Sequence, residues 1–197
     1  KGWDVTGCYR MCLWVTLKEK LTGKLFTYFN THFGFGDKCQ VDSAELIKKE
    51  FDALGIPYTD NLAITGVKAT LKGRSHKRNI CIIGEMDAVK CFCHPNADNE
   101  TGAAHSCGHN AQCAALIGVA AALKEPGILD ELCGRIRLCA VPAEELLEIE
   151  YRTKLKEEGK IKYFGGKTEF LSRGYFDGVD IAFMLHTAQK FIIGKGS

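Results

Sequence analysis

Residues 134–145 read GRIRLCAVPAEE, and residues 79–88 read NICIIGEMDA. In both, a short aliphatic run stops at a carboxylate. Stretches 135–141 and 79–84 have the length and the β-branched content of buried strands rather than helices. A third apolar run, 179–185 (VDIAFML), ends on His186. Between these runs lie helix-patterned stretches at about 110–124, about 144–158 and 167–174. Strands alternating with helices of this length predict an α/β architecture, a largely parallel sheet with flanking helices. Sites in such sheets gather at the carboxyl ends of the strands. GEMDA, PAEE and the HTA at 186–188 are therefore the places to look for chemistry.

Upstream, SAELIKKEFDALG (43–55) spaces Leu46, Ile47, Phe51 and Leu54 as one helical face, with Ser43 as N-cap and Gly55 as the stop. The residues before it, GFGDKCQVD (34–42), read as a loop, and LAITGVKATL (62–71) reads as a further strand. The first third has another character. RMCLWVTLK (10–18) and LFTYFNTHF (25–33) flank EKLTGK, whose Gly23 suits a hairpin turn, so they are expected to pair as antiparallel strands. This divides the chain into an amino-terminal β-hairpin segment, 1–42, and a main domain, 43–197.

Composition excludes several classes. A chain of 197 residues with 46% hydrophobic content can bury a real core. The net charge is +2 and the basic residues are dispersed, so no nucleic-acid partner is expected. No apolar run reaches the roughly 18 residues that a membrane span requires, and KGWDVTGCYR is not a signal peptide. The expectation is a cytoplasmic protein without a membrane partner. Ten cysteines at irregular spacing read as reduced thiols, most of them buried, rather than as a disulfide scaffold.

The residues able to do chemistry are few. In HSCGHNAQ (105–112), Cys107 and His109 sit two apart on a glycine turn, where a thiolate and an imidazole can face one pocket. Glu144 and Glu145 are adjacent, so one can ligate a metal while the other handles a proton. His186 ends a strand, and Asp87 can orient a metal-bound histidine or cap a turn. Each has an ordinary structural role when taken alone: a turn, a helix amino terminus, a satisfied histidine at a sheet edge. Their occurrence together, at the ends of separate elements, points to a metal centre.

From about Ser43 to Lys190 the sequence resembles the amino-terminal part of a zinc-dependent amidohydrolase of the aminoacylase/carboxypeptidase metallopeptidase superfamily. The resemblance rests on LGIPYTDNLAITGVKATLKG, GEMDAV, HPNADNETGAAHSCGHNAQCAALIGVAAAL, GRIRLCAVPAEE and FDGVDIAFMLHT. It implies divalent metal ions, zinc first with manganese or cobalt as alternatives, held by Cys107, His109, Glu145 and His186. It also implies Glu144 as general base, Asp87 as its supporting catalytic-site acid, and a small-molecule amide such as an N-acyl amino acid as substrate. The family's usual CGHDxH is here CGHNAQ, with Asn110 and Gln112 in place of the acid and the second histidine. The family's last metal ligand lies far downstream of position 197. The expectations are therefore an incomplete site in this stretch taken alone, and exposed surface that suits a homo-oligomer.

Residues 1–47 resemble instead an internal piece of the endonuclease/exonuclease/phosphatase superfamily, through GWD, the TGK hairpin and NTHFGFG. That resemblance implies Asn30 and His32 as phosphate contacts. The metal-binding glutamate and the later motifs of that superfamily are missing, so phosphodiesterase chemistry is not expected, and the junction is placed near Ser43.

Overall fold

The computed structural model describes residues 12–18, 25–31, 36–95, 97–104 and 106–187. Its centre is a five-stranded sheet of β3 (Tyr58–Leu62), β4 (Gly66–Lys72), β5 (Arg78–Glu85), β8 (Gly134–Val141) and β9 (Ile181–Met184), in the order β3-β4-β8-β5-β9. β8, β5 and β9 run parallel, with Glu85 beside Val141 and Ile83 beside Met184, while β4 is antiparallel to both of its neighbours. β3 thus points the same way as β8, so four of the five strands share a direction. The fold is the α/β arrangement expected from the alternation of strands and helices.

Side-chain alternation divides the core between the two faces of the sheet. Ile136, Leu138 and Ala140 of β8 point to one face, where they meet α1 (Gly36–Ala53) through Ala44, Ile47 and Phe51, and α2 (His109–Lys124) through Cys113, Leu116 and Ala120. Cys139 and Val141 point to the other, against Phe170 of α5 (Gly166–Ser172). In α2 the buried residues His109, Gln112, Cys113, Leu116 and Ala120 form one stripe at helical spacing. Burial of a side chain such as Leu116 stabilises by about 1.5–3 kcal/mol, which is what fixes this helix to the sheet. Two short helices, α3 (Ile128–Glu131) and α4 (Ile149–Glu157), and a small hairpin of β6 (Val89–Lys90) and β7 (Ala103–Ala104) complete the described main domain.

Three element boundaries differ from the sequence reading. The helix expected from Ser43 begins at Gly36, and residues 36–42, read as loop, belong to it. Its buried stripe continues backwards through Ser43 and Gln40, two polar residues that an apolar periodicity does not register. The single strand expected at 62–71 is a hairpin of β3 and β4. The turn lies inside LAITG, where Ala63 and Ile64 take positive φ. The helix expected from residue 144 starts only at Ile149, after Glu148 in the left-handed region at φ +52°.

The amino-terminal strands pair as expected, β1 (Cys12–Lys18) with β2 (Leu25–Thr31), antiparallel, with Trp14 opposite Phe29 and Thr16 opposite Thr27. They form a sheet of their own rather than extending the central one. The turn residues 19–24 and His32 lie outside the described residues; Asn30 stands on β2 opposite Leu13. The junction placed near Ser43 falls inside the continuous helix α1. Among the described residues no helix is long and apolar enough to cross a membrane.

Candidate metal centre

Three parallel neighbours, β8, β5 and β9, end side by side, and the amino terminus of α2 faces their carboxyl ends. The chain leaves β5 through Glu85, Met86 and Asp87, and leaves β8 through Pro142, Ala143, Glu144 and Glu145. It leaves β9 through Leu185 to His186. α2 opens on Gly108, whose φ of +93° strains any residue with a side chain. A Cβ there would also stand 2.2 Å from Thr187 Oγ1. That threonine donates to the Cys107 carbonyl over 3.0 Å and ties the end of β9 to the turn carrying the thiol. The glycine of Cys107-Gly108-His109 is thus required by both its backbone and its neighbour.

His109 is at the centre and is 1% exposed. Its Nδ1 donates to the Asp87 carbonyl over 2.8 Å and lies 3.1 Å from Asp87 Oδ1, which fixes the ring and directs Nε2 inward. Asp87 Oδ2 accepts from the Glu145 amide over 2.8 Å, so one aspartate orients the imidazole and anchors the paired glutamates. Nε2 itself is buried without a hydrogen-bond partner. It faces Glu85 Oε2 at 3.1 Å, Glu144 Oε2 at 3.8 Å and Glu145 Oε1 at 3.9 Å. Burial pulls the imidazole towards its neutral form, but the Asp87 and Glu85 carboxylates outweigh it and raise its pKa to about 10.

Negative charge is in surplus here. Burial, followed by the carboxylates of Glu145, Glu144 and Glu85, pushes the Cys107 thiol up to about 12. Burial also works against the charge on Glu85, yet His109, Lys167 and Gln112 overcome it and hold that carboxyl down at about 2. Lys167, from the first turn of α5, pairs with Glu85 Oε1 and reaches Glu144 Oε1 over 3.3 Å. Gln112 donates from Nε2 to Glu85 Oε2 over 2.8 Å and accepts from the Glu85 amide over 3.2 Å. Lys167 can approach because Gly166 packs against the strand end: a Cβ on it would lie 1.6 Å from the Pro142 carbonyl oxygen.

Among the described residues two groups bring donor atoms within 4.8 Å of one another: Cys107, His109 and Glu145, and Glu85, His109 and Glu144. His186 Nε2 lies 3.7 Å from Cys107 Sγ, beside the first group. A buried imidazole nitrogen without an aligned hydrogen bond, facing a thiol and carboxylates in a negative field, fits a divalent metal ion. The structure therefore brings together Cys107, His109, Glu145, His186, Glu144 and Asp87. The sequence reading did not single out Glu85 or Lys167, and it noted Gln112 only as a departure from CGHDxH. A carboxylate closing the apolar run NICIIGE was a usable signal for Glu85; a lysine after two glycines was a weak one for Lys167.

No family model matches the chain. It is 31% identical over 160 residues to N-acetyl-L-cysteine deacetylase of Bacillus subtilis (strain 168), covering 80% of this chain and 34% of that protein. It is 27% identical over 161 residues to IAA-amino acid hydrolase ILR1-like 4 of Arabidopsis thaliana, covering 80% of this chain and 32% of the relative. The chain thus spans about a third of the length of these curated relatives. Among solved structures, Bacillus subtilis YXEP, described as a dinuclear metal binding peptidase from the M20 family, superposes with a TM-score of 0.61 at 27% identity, covering 80% of this chain and 40% of that one. A putative aminohydrolase from methicillin resistant Staphylococcus aureus shares the fold, with a TM-score of 0.59 at 22% identity over 77% of this chain and 35% of its own. The resemblance of residues 1–47 to the endonuclease/exonuclease/phosphatase superfamily finds no support among these matches. The relatives and structural neighbours of this chain are amidohydrolases and peptidases of the M20 family, and its α/β fold is consistent with their catalytic domain.

Proposed function

We propose that this chain is the metal-binding part of a hydrolase that cleaves the amide bond of an N-acyl amino acid or a small peptide-like amide. The observation that carries the reading is the buried His109 Nε2, which makes no aligned hydrogen bond and faces the carboxylates of Glu85, Glu144 and Glu145 in one cluster with Cys107. Cys107, His109, Glu145 and His186 would hold a divalent ion, zinc before manganese or cobalt given the thiolate. Such an ion polarises an acyl carbonyl and makes water a better nucleophile near neutral pH. The similarity to a deacetylase and to hydrolases of amino acid conjugates supports the same substrate class.

The protein's own residues supply the proton handling and the alignment. Glu144 stands beside the metal group and is partly exposed, so its carboxylate is available to take the proton from the attacking water and return it to the departing amine nitrogen. Lys167, 3.3 Å from Glu144 Oε1, fixes which oxygen remains free for that task. Asp87 keeps His109 in one orientation through the two contacts described above.

The decisive experiment measures hydrolysis of N-acetyl amino acids together with metal content for the wild type and Glu144→Gln. The expected result is a rate loss of roughly 10²–10⁴-fold in the variant with metal retained. If both proteins hold metal and are equally inert, the chain is a non-catalytic metal-binding α/β protein instead. Absence of bound metal from both at neutral pH would sink either reading.

A further inference from the structure

The described cysteines outside the metal centre differ in their surroundings. Cys81, Cys113 and Cys139 are buried in the core, where they act as small apolar side chains. Cys91 and Cys93 are different: Cys93 is exposed, Cys91 is partly so, and their sulfurs stand 3.4 Å apart. They occupy the start of the loop joining β6 to β7, in the sequence CFCHP (91–95). A turn closed by the His94 amide on the Cys91 carbonyl, over 3.0 Å, brings the two side chains together, and the Cys91 amide is held by the Gly102 carbonyl at 2.6 Å. Phe92 between them lies against Gly102, where a Cβ would come within 2.7 Å of its ring. Neither thiol belongs to the metal centre.

Two thiols in contact on an accessible turn form a dithiol. A single surface thiol that meets a small disulfide stops at a mixed disulfide, whereas a neighbour two residues away is at high effective concentration and completes the exchange. We propose that Cys91 and Cys93 are a redox-responsive pair, oxidised by a small disulfide such as glutathione disulfide to a disulfide within the loop. In the first step the exposed Cys93, as thiolate, attacks one sulfur of glutathione disulfide; the S–S bond breaks and one glutathione thiolate leaves, taking up a proton. In the second, Cys91 as thiolate attacks the Cys93 sulfur and displaces the other glutathione. The loop loses two electrons and two protons, and one glutathione disulfide becomes two glutathiones. The hairpin carrying the loop runs back to Asp87 along β6 and on to Cys107 beyond β7, so closure of this ring stiffens a segment that borders the metal centre without using any of its ligands. The pair does not depend on the hydrolase reading and survives its failure.

The test equilibrates purified protein with glutathione and glutathione disulfide at varied ratios, traps free thiols by alkylation and maps the peptides by mass. The expected result is concerted loss of both alkylatable thiols at 91 and 93, a Cys91–Cys93 link, no retained glutathione, and reversal by dithiothreitol. Cys91→Ser should instead accumulate one glutathione on Cys93, since the resolving thiol is gone. The proposal is overturned if the wild type keeps glutathione on these cysteines, or if either bonds preferentially to a third cysteine. It is also overturned if both thiols stay free in fully oxidised glutathione.

Discussion

At the scale of single residues, the centre is organised by what Asp87 does to His109. One carboxylate and its own carbonyl occupy Nδ1, and Nε2 is left to face a thiol and three glutamates. The field that disfavours a second negative charge at Cys107 attracts a cation. Replacing Cys107 by serine removes the softest donor and leaves a hydroxyl that ionises poorly, so metal affinity should fall on the order of 100-fold or more, measured by competition with a chromophoric chelator. Unchanged affinity would remove Cys107 from the ligand set. Cys107, His109, Glu144, Glu145 and His186 were legible in the sequence because each ends an element or opens a turn, where local pattern and chemistry coincide. Glu85 and Lys167 were not, because their pairing spans 82 positions and depends on Gly166 packing against the Pro142 carbonyl. A lone lysine in a helix reads as solvated unless the partner across the sheet is known.

Among the elements, α5 shows how a polar group holds a helix in place. Glu169 is 1% exposed; its Oε2 accepts from the Lys162 and Tyr163 amides, each over 2.9 Å, and its Oε1 accepts from Arg173 Nε over 2.6 Å. Burial works to raise its pKa, but these donors outweigh it and the carboxyl lies below the ordinary glutamate value. A group with a depressed folded pKa contributes stability that is fully present above the unfolded value of about 4.3 and is lost as pH falls through the folded value. Glu169→Gln should therefore cost about 1–3 kcal/mol in urea unfolding at pH 7, by leaving buried amides poorly paired. The variant should also lose less further stability than the wild type between pH 5 and the acid limit of folding. Equal acid slopes would show that Glu169 does not carry the linkage. Sequence periodicity located α2, β5 and β8 nearly to the residue, since apolar spacing alone decides them. It failed on α1 and on the β3–β4 hairpin, because Gln40 and Ser43 are polar residues on a buried stripe, and because the left-handed turn positions include Ala63 and Ile64, residues that do not signal a turn.

For the molecule as a whole, the sheet is covered unevenly. α1 and α2 close one face and α5 the other, yet Ile181, Phe183, Met184 and Leu185 are between 42% and 61% exposed. β9 is the edge strand of the described sheet, bonded to β5 alone over Ile181–Met184. This edge strand delivers His186 to the thiol, so an ion held by His186 would link occupancy of the site to docking of the strand. In the language of hydrogen exchange, the amides of β9 should report a local opening, and those of β8 a global one. At a free metal concentration 100 times the dissociation constant, mass action adds about 2.7 kcal/mol to the opening cost, slowing exchange in β9 roughly 100-fold. Slowing confined to β8, or none in β9, would mean that His186 is not a ligand. If the slowing is confined to β9, the ion acts as a clasp, and this edge strand becomes a gauge of whether the centre is filled.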